Sequence, residues 1–280
     1  METSEFVIGR TAPVTARTVR TCRAGLEQAV PMTSTTPVIL LHGQPGDHHA
    51  WDGVRACLPP SVRGLAWDRP GYGDNESPAG TLEDNAAWLL ERLDRAGIRE
   101  AVLAGHSYGG GVALAAAAMA PERVRGLISV AGIGPGCVGT WDEVLAAPVA
   151  GPMLSMAMWS MMPWLARQHR AHYPNPASAW QALADIRHDH GQVWRTVLLE
   201  QRELFDSLDR WLERLAGIDV PALIVADPAD RVVPVSTARA LHDRFPRSRL
   251  ELVSGGGHLL PQRIPEVIAA KIGEFVDSVG

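Results

Sequence analysis

The chain has 280 residues, 46% of them hydrophobic, which is enough for one large α/β domain or for one domain with an insertion. Its formal net charge is −5, so the sequence lacks the excess of positive charge that nucleic-acid-binding proteins carry. The longest apolar run, residues 112–120, is far below the roughly 20 residues that a bilayer-spanning helix needs.

The first residues and the cysteines bear on location and on metal binding. Residues 1–5 are acidic and precede no apolar segment, unlike a signal peptide. The three cysteines are scattered, and no C-x-x-C pair indicates a metal or redox site. We therefore expect a soluble, cytoplasmic protein with no metal and no cofactor, which binds neither nucleic acid nor a membrane.

Short apolar runs alternate with helical patterns along the chain. One helical pattern covers residues 81–97, where Thr81 can cap the helix and Gly97 can end it. Strands that alternate with helices indicate an α/β fold with a mostly parallel sheet covered by helices on both faces. Residues 17–24 could form a leading antiparallel strand. The strand candidates are residues 38–41, 64–67, 101–104, 127–131, 222–226 and 250–253.

The alternation stops after Gly132 and resumes at Val220. We interpret residues 137–217 as a helical cap inserted into a core formed by residues 1–136 and 218–280. The cap sequence is rich in methionine and tryptophan, and methionine suits an adaptable apolar wall. These side chains could line a substrate pocket or simply pack the cap on the core. The pocket candidates are Met153, Met158, Trp159 and Met162.

The sequence Gly105-His106-Ser107-Tyr108-Gly109 has the pattern G-x-S-x-G. It follows an apolar strand and precedes a helix rich in small residues, which is the context in which this pattern forms a nucleophile elbow. Glycines on both sides remove the Cβ atoms that would collide in so sharp a turn. Ser107 is therefore a candidate nucleophile.

A serine nucleophile needs a nearby base and an acid that orients this base. His258 follows the last strand candidate in a glycine-rich loop that could carry its imidazole over the sheet edge, although it could also be an ordinary surface histidine. Asp227 and Asp230 follow the preceding strand candidate and are rival acids. With either acid, the chain order is serine, aspartate, histidine.

The residues His42-Gly43-Gln44-Pro45-Gly46 follow the first strand candidate. The tetrahedral intermediate of acyl transfer carries an oxyanion, which needs donors placed in advance. The backbone N–H groups of Gln44 and Tyr108 are candidates for this oxyanion hole. The same five residues could instead form a plain turn, with His42 in a structural role.

These motifs together resemble those of the α/β-hydrolase superfamily, over nearly the whole chain from about Thr36. The turn Asp68-Arg69-Pro70-Gly71-Tyr72-Gly73 also belongs to this resemblance. It implies an α/β-hydrolase fold with a sheet of about eight strands, and it favours Asp230 as the acid. The implied triad is Ser107, Asp230 and His258, with Gln44 and Tyr108 at the oxyanion hole. One departure is Asp227, which stands where the family often has glycine.

We expect a cofactor-free serine hydrolase that forms an acyl-enzyme from a small to medium hydrophobic or aromatic ester. The same triad also serves thioesterases, lactonases, perhydrolases and hydrolases of C–C bonds, which the sequence does not separate. Members of the superfamily with an aspartate nucleophile are disfavoured by Ser107. A ligand-binding pseudoenzyme or receptor is the non-enzymatic alternative, and the oligomeric state is left open.

Overall fold

The computed structural model describes residues 36–137, 139, 144, 147–157, 193–214 and 218–280, without the side chains of residues 205–207. Six strands form its sheet: β1 Val38–Leu41, β2 Gly64–Trp67, β3 Ala101–His106, β4 Val124–Val130, β5 Ala222–Ala226 and β6 Ser248–Leu252. Their order is β2-β1-β3-β4-β5-β6, and every neighbouring pair is parallel. The six candidate segments of the sequence therefore correspond to the six strands.

Seven α-helices are described around this sheet. They are α1 Asp52–Cys57, α2 Leu82–Arg95, α3 Tyr108–Met119, α4 Val193–Arg214, α5 Val235–Arg244, α6 Leu260–Arg263 and α7 Pro265–Val279. Residues 150–157 are also helical. None of the helices in the described ranges is long and apolar enough to cross a membrane.

The two faces of the sheet bury separate apolar clusters. Along β1, Ile39 and Leu41 pack into a cluster with α2, α3, α4 and α5, whereas Val38 and Leu40 pack into a second cluster with α1, α6 and α7. This alternation follows from the two-residue period of a strand. Because helices cover both faces, β1 and β3 are apolar and fully buried along their central residues. The α/β fold class predicted from the sequence is confirmed.

The strand count differs from the expectation. About eight strands were implied by the family resemblance, whereas the described residues form six. Within the described ranges, the apolar runs of the sequence predicted these six strands and no others. The possible leading strand at residues 17–24 lies outside the described residues. β4 also begins earlier than predicted. Val124 already pairs with Ala101, next to a register irregularity, but the following residues Arg125 and Gly126 interrupt the apolar run in the sequence.

The division into a core and a cap remains a prediction. In the interval 137–217, the described residues that have regular structure are helical: residues 150–157 and α4. Helix α4 packs on α2 and α3, and its residues Leu204, Leu208 and Leu212 join the larger apolar cluster. This helix therefore connects the interval closely to the core.

Helix α2 begins with a capping box. The Thr81 hydroxyl accepts from the backbone N–H of Asp84 at 3.1 Å, and the Asp84 carboxylate accepts from the backbone N–H of Thr81 at 2.9 Å. At the other end, Gly97 has a φ of 65°, which glycine adopts without strain. Both ends of this helix agree with the sequence prediction.

We predict that Thr81→Ala lowers the free energy of unfolding by about 1 kcal/mol, because the N–H of Asp84 loses its side-chain acceptor. Urea unfolding of the purified protein measures this change. Thr81→Ser keeps the hydroxyl and should unfold close to the wild type. Equal losses in the two variants would contradict the capping explanation.

Candidate active site

Ser107 occupies the sharp turn between β3 and α3. Its backbone has a φ of 52° and a ψ of −122°, a strained conformation for a residue with a Cβ. Three hydrogen bonds hold the turn: the Ser107 N–H donates to the carbonyl of Val130 at 3.1 Å, and its carbonyl accepts from Gly110 at 2.9 Å and Ile133 at 3.2 Å. The turn is therefore fixed by the neighbouring strand and its following loop.

The two glycines of the motif allow α3 to begin directly against the sheet. A Cβ on Gly105 would lie 2.1 Å from the carbonyl oxygen of Gly109, and a Cβ on Gly109 would lie 2.4 Å from that of Leu41. Both distances are far below van der Waals contact, and the obstructing atoms are backbone. Any other residue at these positions would move α3 away from β1 and β3, and Ser107 with it.

His258 lies in the loop between β6 and α6, and its two ring nitrogens contact the two residues predicted to be its partners. Nε2 is 3.1 Å from the Ser107 Oγ, and Nδ1 is 2.9 Å from the Asp230 Oδ2. Ser107 and Asp230 are 7% and 9% exposed. The structure thus brings together the three residues that the sequence proposed as a triad, in hydrogen-bond order.

Asp230 is held in an ionised state. Burial acts to raise its pKa, but hydrogen bonds from His258 and from the backbone amides of Val232 and Val233 hold that pKa below its ordinary value. The two amides donate to Oδ1 at 2.7 and 3.0 Å, which leaves Oδ2 for the imidazole. An ionised acceptor at Nδ1 keeps the proton there, so Nε2 of a neutral ring is free to accept from Ser107.

Asp227 has a different task from Asp230. It is 1% exposed, and its Oδ2 accepts from the backbone amides of Gly256 and Gly257 at 3.0 and 2.7 Å, while Oδ1 accepts from Ala229 at 2.8 Å. Gly256 and Gly257 immediately precede His258. The rival acid therefore fastens the loop that carries the histidine, a role that the sequence left unexplained.

His106 also supports this loop. Its Nε2–H donates to the backbone carbonyl of His258 at 2.8 Å, and the two rings lie 5.1 Å apart. Burial, followed by the nearby His258, lowers the pKa of His106 to about 3, so the ring is neutral near neutral pH. Sequence reasoning missed this contact, since nothing in the motif distinguishes His106 from any residue at that variable position.

The two proposed oxyanion donors flank Ser107. Gly43 packs against the nucleophile, because a Cβ at this position would lie 3.0 Å from the Ser107 Cβ, and Gln44 follows it directly. Tyr108 is the first residue of α3, where a backbone N–H has no acceptor within the helix. The side chain of Gln44 donates to the Gln201 Oε1 at 2.6 Å, a contact with α4.

His42 is structural, in agreement with one of the two interpretations of its motif. Its Nε2 accepts from the backbone N–H of Arg69 at 3.0 Å, so the proton lies on Nδ1, which donates to the Gly43 carbonyl at 2.8 Å. Burial, together with the charge of Arg69, lowers the pKa of His42 to about 3. The imidazole is therefore a neutral brace within the loop.

The predicted pocket residues are only partly described. Met153 lies in the helical segment 150–157 and is 65% exposed, so it is not enclosed in a pocket. Met158, Trp159 and Met162 lie outside the described residues. The pocket assignment remains a prediction.

One group in the described part of the chain has the spacing of a metal site: His48, Asp68 and Asp74. The Asp68 oxygens already accept from the His48 N–H at 2.6 Å and from the Asp74 N–H at 2.9 Å, and the His48 ring lies within 3.0 Å of both. These bonds account for the cluster, which braces the turn after β2.

The low pKa of His106 has a consequence for acid stability. Its pKa is about 3 in the folded protein against 6.5 in an exposed histidine, so the unfolded chain binds the additional proton and stability falls as the pH drops from 6.5 toward 3. We predict that His106→Gln makes this fall shallower by up to about 1.4 kcal/mol per pH unit. Urea unfolding at a series of pH values measures the slope.

A matched control for this prediction is the exposed His49. A hydrogen bond with Asp52 raises the pKa of His49, so this residue has the opposite linkage. His49→Gln should not make the fall in stability shallower. An unchanged slope in His106→Gln would show that His106 titrates normally.

Asp227 yields a second prediction. Asp227→Asn keeps the shape of the side chain but replaces one accepting oxygen by a donor, which must face a backbone N–H. We expect a loss of about 2 kcal/mol in the free energy of unfolding, measured with urea. Asp243→Asn, at an exposed position of α5, should stay within about 0.5 kcal/mol of the wild type. A similar result for both variants would refute the fastening role.

Comparisons with known proteins agree with this architecture. Residues 36–261 match the family model of the alpha/beta hydrolase fold. The chain is 26% identical to a 2-hydroxymuconate semialdehyde hydrolase of Pseudomonas sp. strain CF600, with 86% of each chain covered. It is 28% identical to a pimeloyl-[acyl-carrier protein] methyl ester esterase of Neisseria meningitidis serogroup A, covering 86% of this chain and 77% of the relative.

A solved structure gives the same result. A thermophilic esterase from Thermogutta terrifontis superposes with a TM-score of 0.68 at 25% identity, covering 88% of this chain and 92% of the esterase. Family model, relatives and structure agree over most of the chain. The chain therefore belongs to the α/β-hydrolase fold family.

Proposed function

We propose that this hydrolytic enzyme is a cofactor-free serine esterase that works through an acyl-enzyme. The observation that carries the proposal is the continuous hydrogen-bonded chain from the Ser107 Oγ through His258 to Asp230, with contacts of 3.1 and 2.9 Å. A serine hydroxyl becomes a useful nucleophile only when a base takes its proton during attack. The proposed base has a free Nε2 at the required distance.

The proposed reaction has two halves. In the first, Ser107 attacks the ester carbonyl while His258 takes the hydroxyl proton, and the tetrahedral intermediate collapses as His258 gives this proton to the departing alcohol. In the second, His258 takes a proton from water, the hydroxide attacks the acyl-enzyme, and the acid leaves as Ser107 regains its proton. The Asp230 carboxylate stabilises the imidazolium in both halves.

The backbone N–H groups of Gln44 and Tyr108 are the proposed donors to the oxyanion. The loss of one such donor typically costs about 3 kcal/mol of transition-state stabilisation. Support comes from the packing of Gly43 against Ser107 and from the position of Tyr108 at the first turn of α3. The dipole of α3 adds to this effect, because its positive end lies at Tyr108.

We further propose a small to medium hydrophobic or aromatic ester as the substrate. Two observations support this class: two of the similar proteins are named as esterases, and the chain has five methionines between residues 153 and 162. One specific observation favours a second candidate, the hydrolysis of a C–C bond. It is the similarity to 2-hydroxymuconate semialdehyde hydrolase over 86% of the chain.

We predict that a fluorophosphonate labels Ser107 and that Ser107→Ala abolishes both labelling and ester turnover. The reagent needs only an activated serine, so the test requires no assumption about the natural substrate. Peptide mass mapping locates the label, and Thr81→Ser, a conservative change outside the proposed triad, provides a control. Turnover of p-nitrophenyl esters, thioesters and a 2-hydroxymuconate-type dienoate then separates ester hydrolysis from C–C cleavage.

The outcomes are distinct. Label on another residue, or undiminished turnover in a folded Ser107→Ala protein, would rule out the proposed nucleophile. A labelled enzyme that cleaves the dienoate and no ester would replace the first candidate by the second. A folded wild-type protein without label would argue against an activated serine.

A further inference from the structure

Arg69 is a fully buried cation next to the loop that carries Gln44. It stands in the turn after β2, and its side chain is 0% exposed. Its Nε donates to the carbonyl of His42 at 3.0 Å, and its Nη2 donates to the carbonyl of Gly43 at 3.0 Å. The proposed mechanism leaves this residue without a task, although it contacts two successive peptide groups of the loop.

The contact with Gly43 fixes the adjacent N–H of Gln44. The Gly43 carbonyl and the Gln44 N–H belong to one planar, trans peptide group, in which the two point in opposite directions. The carbonyl oxygen accepts from Arg69 Nη2 and from the His42 ring, so both of its lone pairs are used. With this end of the peptide fixed, the direction of the Gln44 N–H is fixed too.

Arg69 also determines the tautomer of His42, whose ring is the second donor to the Gly43 carbonyl. Its backbone N–H donates to the His42 Nε2 at 3.0 Å, which forces the imidazole proton onto Nδ1, the atom that faces the Gly43 oxygen. One residue therefore holds the Gly43–Gln44 peptide twice, once through its guanidinium and once through the tautomer of His42. Donation to a carbonyl also polarises the peptide and strengthens its N–H as a donor.

The other proposed oxyanion donor is in contact with the same cation. The guanidinium carbon of Arg69 lies 4.8 Å from the ring centroid of Tyr108, whose backbone N–H is the second donor. It lies at the same distance from the ring of Tyr72. Arg69 thus packs between the two arms of the proposed oxyanion hole.

The partner of Arg69 comes from the predicted cap. Glu200 in α4 is 0% exposed, forms a short ion pair with Arg69 Nη1, contacts Nη2 at 3.4 Å and accepts from the Tyr72 hydroxyl at 2.7 Å. The next residue, Gln201, accepts from the side chain of Gln44. Of these two successive residues of α4, Gln201 contacts the loop of residues 42–46 (the oxyanion loop) directly, and Glu200 acts on it through Arg69.

A buried ion pair is weak support for stability, because the cost of removing two charges from water can exceed their attraction. Stability alone is thus a poor explanation for this pair. Its geometry points to another role, since each donor group of the guanidinium ends on Asn85, on Glu200 or on a carbonyl of the oxyanion loop.

We propose that Arg69 and Glu200 are positioning residues for the oxyanion hole, through which helix α4 holds the Gln44 and Tyr108 amides in their working geometry. This inference rests on the proposed serine esterase function. It assigns the pair no contact with substrate. Displacement of a catalytic group by about 1 Å can reduce a rate by roughly 10²-fold, which sets the size of the expected effect.

The test uses the full chain with the ion pair replaced by apolar side chains. The triple variant Arg69→Met, Tyr72→Phe, Glu200→Leu removes both charges and the hydroxyl that would lose its acceptor. Such replacements of buried ion pairs are often neutral or stabilising. Glu203→Gln is the matched control, since Glu203 is one turn further along α4 and accepts from the backbone N–H of Leu82 at the start of α2.

Two inhibitors separate positioning from general damage. The serine adds to the carbonyl of a trifluoromethyl ketone and forms a tetrahedral oxyanion, whereas the matching trifluoromethyl alcohol binds without reaction. For the triple variant, we expect about 10²-fold weaker binding of the ketone and a kcat/KM for p-nitrophenyl butyrate that is lower by about the same factor. Binding of the alcohol should stay close to that of the wild type. The variant should fold with a lower unfolding midpoint, because the buried oxygens of His42 and Asn85 lose Arg69 as a donor.

A folded triple variant with wild-type kcat/KM and ketone binding would overturn the inference and leave the esterase proposal intact. Wild-type protein without fluorophosphonate label would overturn the esterase proposal itself. If the triple variant does not fold, Glu200→Gln decides, because it keeps the size of the side chain and an acceptor for Arg69. Reduced ketone binding with unchanged alcohol binding then supports the inference, and unchanged ketone binding refutes it.

Discussion

The site depends on the close approach of the first turn of α3 to the ends of β1 and β3. Main-chain atoms are in direct contact there, since the positions of Gly105 and Gly109 leave no room for a Cβ. This approach places Ser107 in a strained turn and sets Gly43 against it. The strain is maintained because Val130, Gly110 and Ile133 fix the backbone of Ser107 on both sides. A looser turn would separate the serine from each of its proposed partners.

The remaining groups reach Ser107 because parallel strands end at the same edge of the sheet. β1 is followed by the Gln44 loop, β5 by Asp230 and β6 by His258. Two of these loops are then fixed by buried side chains rather than by their own length: the Asp227 carboxylate accepts from the amides before His258, and the His42 ring donates to the carbonyl before Gln44. Rigid loops of this kind favour catalysis, since donors placed in advance need no reorganisation during the reaction.

Much of this arrangement follows from local sequence. The six apolar runs, the capped helix α2 and the elbow depend on neighbouring residues, so pattern and turn chemistry identify them. The Arg69–Glu200 pair joins positions 131 residues apart, and no local pattern connects a turn after β2 with a helix of the predicted cap. Asp227 was visible as a departure from the family, but its role required the position of the His258 loop. The strand count was inherited from the resemblance and not from the apolar runs.

The buried charge of Arg69 explains why the sheet and its loops need α4 to balance the charges of the site. Arg69 is buried beside carbonyl oxygens that can orient it but cannot neutralise it, and an unpaired buried cation is very costly. The neutralising carboxylate, Glu200, belongs to α4, whose other buried residues pack on α2 and α3. Docking of α4 thus completes the apolar cluster and the charge balance behind the oxyanion loop together. Under the proposed positioning role, α4 therefore also organises the donors of the proposed oxyanion hole.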